Sequence, residues 1–220
     1  MSPMRIVILL GPPGAGKGTQ AARLAVALGL PHISTGDLFR SNREQGTALG
    51  QRAKEFMDAG RLVPDELVLE MLFDRVSKKD CAQGYLLDGF PRTLPQAEAL
   101  AARLPKDAVV QAVNLVVPDR ALVERIAGRR ICRSCKHIHH VKSSPPKVAG
   151  RCDRCGGELE QRTDDSEPVL RERLAVYRRQ TLPVEELYRT RGWLVPVDGD
   201  REPDLVFESI RQAVSEGVRA

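Results

Sequence analysis

Apolar, β-branched runs alternate along this chain with segments whose apolar residues recur at helical spacing. The strand-like runs lie at residues 6–10, 32–34, 85–87, 109–117 and 194–197. Between them, residues 19–28, 64–76, 95–104, 119–126, 168–187 and 204–218 carry the helical pattern, in which one stripe of the helix is apolar. Local chemistry agrees at several starts. Asp65 and Glu66 follow Pro64, and Asp119 follows Pro118, which suits a helical first turn. Apolar strands separated by helices predict an α/β fold with a five-stranded parallel sheet and helices on both faces. One segment breaks the rhythm. Residues 128–165 hold four cysteines, three histidines and Pro145-Pro146.

The first strand runs directly into Gly-Pro-Pro-Gly-Ala-Gly-Lys-Gly-Thr at 11–19. Gly14, Ala15, Gly16, Lys17, Gly18 and Thr19 lie where a strand gives way to a helix. Glycines let successive backbone N–H groups turn toward an anion, and the helix N-terminus adds its own unpaired amides. Lys17 brings a mobile charge to the β and γ phosphates of a nucleoside triphosphate. The competing reading is a plain Gly/Pro turn, against which the lysine and the glycine spacing weigh. One departure is informative. The usual phosphate loop has Ser or Thr after its lysine, as a magnesium ligand. Here Gly18 stands there, so magnesium must be held in another way.

Composition bounds the remaining choices. The chain has 220 residues, 42% hydrophobic and 29% charged, ordinary proportions for a globular protein. No apolar run approaches the ~18 residues that spanning a membrane requires, and the N-terminus does not read as a signal peptide. A cytoplasmic location and no membrane partner are expected. The net charge of +5 fits either nucleic acid or a site that holds several phosphates. The arginines are spread along the chain and form no basic block, which favours phosphates.

Cys132-x2-Cys135 and Cys152-x2-Cys155 are separated by sixteen residues. Two such knuckles offer four thiolates to one tetrahedral ion, and zinc is the expected metal. A closed four-sulfur shell makes that zinc structural. Paired disulfides are the alternative, which a reducing compartment disfavours. Cys81 is isolated and reads as a small buried hydrophobe. His137, His139 and His140 are expected on the surface or facing a nucleotide. A zinc ribbon also suits nucleic-acid binding, but 128–165 contains no Phe, Tyr or Trp on which bases could stack. As an insert in a phosphate-loop fold it is better placed as a lid.

Further segments complete the picture: Ser34-Thr35-Gly36-Asp37-Leu38-Phe39-Arg40, Asp58-Ala59-Gly60-Arg61-Leu62-Val63-Pro64, Asp88-Gly89-Phe90-Pro91-Arg92 with Gln96, Gly128-Arg129-Arg130, and Arg162-Thr163-Asp164-Asp165. Together with the loop variant at 11–19, these closely resemble adenylate kinases of the long, zinc-bearing bacterial type, over essentially the whole chain. The resemblance implies three parts: a core of 1–33, 64–127 and 166–220, a small helical AMP-binding insert at 34–63, and a zinc-containing lid at 128–165. It implies that Lys17 and the amides of 14–19 grip ATP. Arg125, Ile138, His139 and Arg201 are implied about its base and ribose. Arg40 and Arg92 correspond to the pair that holds the AMP phosphate. Thr35, Arg61, Leu62, Val63, Gly89, Phe90, Pro91 and Gln96 correspond to the rest of the AMP pocket. Arg129, Arg162 and Arg173 correspond to the arginines on the transferring group, the latter two also facing AMP. Asp88 corresponds to the carboxylate that holds magnesium through water. Arg171 and Arg173 are two apart on a helix and cannot share a face, so only one is expected to point at phosphate.

The implied reaction is ATP + AMP = 2 ADP, which keeps adenine nucleotides in balance, in a monomer that binds ATP, AMP and ADP but no nucleic acid. A UMP/CMP kinase is the nearest alternative. A nucleic-acid-binding ATPase and a non-catalytic nucleotide sensor are more distant ones.

Overall fold

The computed structural model describes residues 3–216. Five strands form the central sheet: β1 (Arg5–Leu10), β2 (His32–Ser34), β3 (Gly84–Asp88), β4 (Val109–Val116) and, last in the chain, β8 (Leu194–Asp198). Their order is β2-β3-β1-β4-β8, and every neighbouring pair is parallel. Burial explains the unbroken apolar runs. Ile6, Val7, Ile8 and Leu9 are fully buried, with Ile6 and Ile8 in one hydrophobic cluster and Val7 and Leu9 in another. The two clusters lie on opposite faces of the sheet, as alternation along a strand requires.

Helix α1 (Lys17–Leu28) leaves the loop after β1 and packs against α9 (Pro203–Glu216). The sequence pattern carries this last helix to residue 218; residues 217 and 218 lie outside those described. Helices α4 (Asp65–Val76), α5 (Leu94–Arg103) and α6 (Asp119–Ala127) occupy the expected segments. Thr93 caps α5 by accepting the Gln96 backbone N–H.

Two insertions leave the strand–helix alternation. After β2 the chain forms α2 (Thr35–Glu44) and α3 (Ala48–Asp58), capped by the Ser34 and Thr47 hydroxyls. These helices approach closely because residue 50 is glycine: a Cβ there would lie 2.3 Å from the Asn42 carbonyl carbon. After α6 comes an antiparallel sheet of β5 (Arg129–Cys132), β6 (Ile138–His140) and β7 (Leu159–Glu160), in the order β6-β5-β7.

The pattern at 168–187 predicts one helix, and the structure divides it. Helix α7 (Glu167–Val176) passes into a π turn at Tyr177–Thr181 and then into α8 (Leu182–Thr190). Pro183 is the cause. It has no N–H for the Arg179 carbonyl and its ring crowds that group, so a regular α-helix cannot run through.

Gly50→Ala forces α2 and α3 apart and is expected to destabilise the protein by about 1–3 kcal/mol. A denaturant midpoint unchanged from wild type would contradict this account of the helix pair.

Candidate active site

Strands β1 and β3 end side by side, with Leu9 in register with Asp88. In such sheets ligands bind beyond the carboxyl ends of the strands. The turn from β1 to α1 carries positive φ at Gly14 and Gly16, 88° and 91°, which aims the intervening amides toward one space. A cavity of about 850 Å3 opens there. Its walls include Gly14, Ala15, Gly16, Lys17, Gly18, Thr19, Arg125, Arg129, Ile138, His139 and Arg201, the whole set expected on the ATP side. Arg125 donates to the Gly199 carbonyl at 2.9 Å and pairs with Asp200, so it ties that wall to the loop after β8.

A smaller pocket lies across Gly89 and Arg92, between α2, α3 and the start of α4. Thr35, Arg40, Arg61, Leu62, Val63, Gly89, Arg92, Gln96 and Arg173 line it. Of the remaining residues expected around AMP, Pro91 lines an adjoining cavity and Arg162 the large one. Phe90 is fully buried in the core and reaches neither. The bond between Phe90 and Pro91 is cis.

Cations meet where the pockets meet. The Lys17 ammonium donates to the Gly11 and Pro12 carbonyls at 2.6 and 2.9 Å. Burial, together with Arg92, Arg173 and Arg129, pulls its pKa down to about 7, against the opposing pull of Asp88. Burial, then Arg173, lowers Arg92 to about 10. Burial, then Arg40 and Arg129, lowers Arg162 to about 10. The Arg162 Nε is buried with no hydrogen-bond partner. Carboxylates steady the group. Arg129 chelates the fully buried side chain of Asp165, and Arg173 pairs with Asp164 at 2.9 Å. Arg40 pairs with Asp37 at 2.5 Å. Burial alone would raise the Asp37 and Asp164 carboxyls, but the arginines outweigh it and hold both below the usual range. Arg173 faces this cluster while Arg171 is exposed against Glu167.

Several contributors carry no mark in sequence beyond their neighbours. Asp65 accepts from the Gln96 amide at 2.7 Å, and Gln96 in turn accepts the Arg92 backbone N–H at 2.8 Å. His32 stands 3.5 Å from Asp88 at the cavity floor. Periodicity shows Asp65 only as a first-turn acid and His32 only as a strand residue. His139 is buried, its ring edge-on to His137 at 4.9 Å, rather than open on the surface. Its position in β6 still makes it part of the cavity wall.

The four cysteines converge. One Sγ from each of Cys132, Cys135, Cys152 and Cys155 lies within 4.8 Å of the others, a group able to hold a metal ion. The two knuckles share one backbone pattern. Cys132 N–H donates to the His137 carbonyl and Lys136 N–H to the Cys132 carbonyl; Cys152 with Gly157, and Gly156 with Cys152, repeat it. Lys136 and Gly156 take matching left-handed conformations. Lys136 also reaches across the cavity mouth to Glu44 at 2.7 Å, joining this segment to α2.

A phosphate loop at the end of a parallel sheet, facing a second pocket across buried arginines, defines a P-loop phosphotransferase. Comparison with known proteins narrows the class. Residues 9–193 match the family model described as adenylate kinase. The chain is 50% identical over 210 residues to an adenylate kinase of Carboxydothermus hydrogenoformans, covering 94% of this chain and 98% of that one. It is 52% identical over 213 residues to one of Symbiobacterium thermophilum, with 94% and 97% covered, and 53% over 206 residues to one of Desulforudis audaxviator, with 93% and 96% covered. The chain belongs to the adenylate kinase family.

The depressed Lys17 has a thermodynamic consequence. With its pKa about 7 against 10.5 ordinarily, Lys17 is expected to be largely neutral at pH 8 and to take up a proton on binding phosphates. Triphosphate binding at pH 8 is therefore expected to take up about one proton, and affinity to fall as pH rises above 7. Calorimetry in buffers of different ionisation heat measures this. Uptake that persists undiminished in Lys17→Met would contradict the assignment to Lys17.

Proposed function

We propose that the protein catalyses reversible transfer of the γ-phosphoryl group between ATP and AMP, forming two ADP. The observation that carries this reading is the meeting of the two pockets at Arg40, Arg92 and Arg173, with Lys17 on the wall of the larger one. ATP lies along 14–19 with its base toward Arg125, Ile138, His139 and Arg201. AMP occupies the smaller pocket, its phosphate between Arg40 and Arg92. The acceptor is a phosphate oxygen already anionic at neutral pH, so the protein supplies position and positive charge. Arg129, Arg162 and Arg173 answer the charge that spreads over the transferring group. A guanidinium fork matches two phosphate oxygens at once.

The Gln96 amide suits adenine. Its two protein bonds leave one N–H and one lone pair, a donor–acceptor pair for N1 and the 6-amino group. Magnesium fits at Asp88. A Cβ placed on Gly18 would lie 3.4 Å from Asp88 Oδ2, so carboxylate and phosphate loop border one space. Asp88 would hold the ion, which would supply charge to neutralise the phosphates. Residues 34–63 over AMP and 128–165 over ATP exclude water, which would otherwise take the phosphoryl group.

Zinc fits the cysteine quartet. The Sγ separations of 3.4 Å for Cys132–Cys155 and 3.6 Å for Cys135–Cys152 approach the ~3.8 Å edge of a Zn–S4 tetrahedron. It acts structurally, because 128–165 presents little apolar surface of its own. Free cysteines accord with a cytoplasmic location, and no described helix is long and apolar enough to cross a membrane. The enzyme works as a monomer on small nucleotides.

ADP formation from ATP is expected with AMP and at most weakly with UMP or CMP, and Arg92→Ala is expected to lower kcat/KM by about a hundredfold or more. Faster turnover with UMP or CMP would favour the alternative acceptor, and no turnover with any monophosphate would contradict the enzyme reading. Removing zinc with a chelator is expected to lower the melting temperature more than the turnover measured well below it. An unchanged melting temperature would contradict a structural metal.

A further inference from the structure

Glu185 lies on α8 outside both nucleotide pockets, yet its side chain is almost fully buried. A carboxylate in that setting needs partners, and it has two. The Tyr177 hydroxyl donates to Oε1, and Asn114 Nδ2 donates to Oε2 at 2.6 Å. Asn114 sits on β4 in register with Leu10, the last residue of β1 before the phosphate loop. Tyr177 opens the π turn that Pro183 imposes. The turn's last residue, Thr181, donates its hydroxyl to the Arg92 carbonyl at 2.9 Å. Arg173 lies one helical turn before Tyr177.

The chain of contacts is continuous: β4 through Asn114 to Glu185, Glu185 to Tyr177, the π turn to Thr181, and Thr181 to the Arg92 backbone. A π turn is a rare, single-turn departure from the α-helix, often found at functional sites, and here Tyr177 and Thr181 tie its two ends to the surrounding structure. We propose that Glu185 is a positioning residue, which through Tyr177 and Asn114 fixes the π turn and so sets Arg92 and Arg173 against the acceptor phosphate. Burial raises the Glu185 carboxyl, while the Tyr177 hydrogen bond, the Arg189 charge, the Asn114 hydrogen bond and the Lys17 charge counter that rise. The direct partners of the carboxylate are thus two hydrogen-bond donors. Asn114 Oδ1 is buried with no partner. It gives a glutamine at 185 an acceptor once the Asn114 amide turns over.

This inference rests on the proposed function, since it assigns Arg92 to the acceptor side. Its test compares Glu185→Leu, Tyr177→Phe and Glu185→Gln with wild type, measuring kcat and both KM values at a temperature where all are folded. Glu185→Leu and Tyr177→Phe are expected to lose about ten- to a hundredfold in kcat/KM for AMP, with KM for ATP within about twofold of wild type. Glu185→Gln is expected to retain most activity by re-forming the network. The double variant of Glu185→Leu with Tyr177→Phe is expected to be no worse than Glu185→Leu alone, because both break one chain. Lowered melting temperature with unchanged kinetics would overturn the proposal, as would equal losses on the ATP and AMP sides. A wild-type enzyme without AMP-dependent turnover would instead overturn the functional reading.

Discussion

Positive charge gathered out of water is the constraint on which this structure turns. Lys17, Arg92, Arg162 and Arg173 all have depressed pKa values, and burial is the first cause in each. Isolated ions would not be tolerated there. The chain meets the cost partly with carboxylates: Asp37 on Arg40, Asp164 on Arg173, Asp165 on Arg129, and Asp88 opposite Lys17. In the proposed function the remainder falls to the phosphates of the nucleotides. A site that is electrostatically incomplete when empty binds polyanions strongly, and it stabilises most the state in which charge is most crowded.

Each part of the scaffold serves that arrangement. The parallel sheet ends its central strands together, so the phosphate loop and Asp88 share one floor. The paired helices α2 and α3 bring Arg40 to the second pocket, and they approach closely only because position 50 lacks a side chain. The cysteine knuckles shape the segment that carries Arg129 and Arg162 at its two roots. The π turn bends the chain from Arg173 toward Thr181 and the backbone of Arg92. Positioning and charge are the two contributions phosphoryl transfer asks of a protein, and both trace to identifiable residues.

The sheet was legible in advance because buried parallel strands are predominantly apolar; 6–10 reads that way throughout, and 109–117 everywhere but at Gln111 and Asn114. The phosphate loop and the cysteine pairs were legible because their spacing is the chemistry. The break at Tyr177–Thr181 was not. Apolar periodicity runs across it, and Pro183 signals a disturbance without saying that the helix widens and resumes. Asp65 and Glu185 were hidden for a related reason. Both act through contacts with residues distant in sequence, Gln96 for one and Asn114 for the other, and no local pattern records such a partnership. That Phe90 packs into the core while its neighbours Gly89 and Pro91 line cavities likewise follows from tertiary packing alone.

The central claim is that two nucleotides place their phosphates together on one cluster of cations. Calorimetric titration with ADP tests it most directly. Two ADP molecules bound per chain, with adenosine binding far more weakly at both positions, is the predicted result. A single bound ADP, or adenosine binding as tightly as ADP, would contradict it.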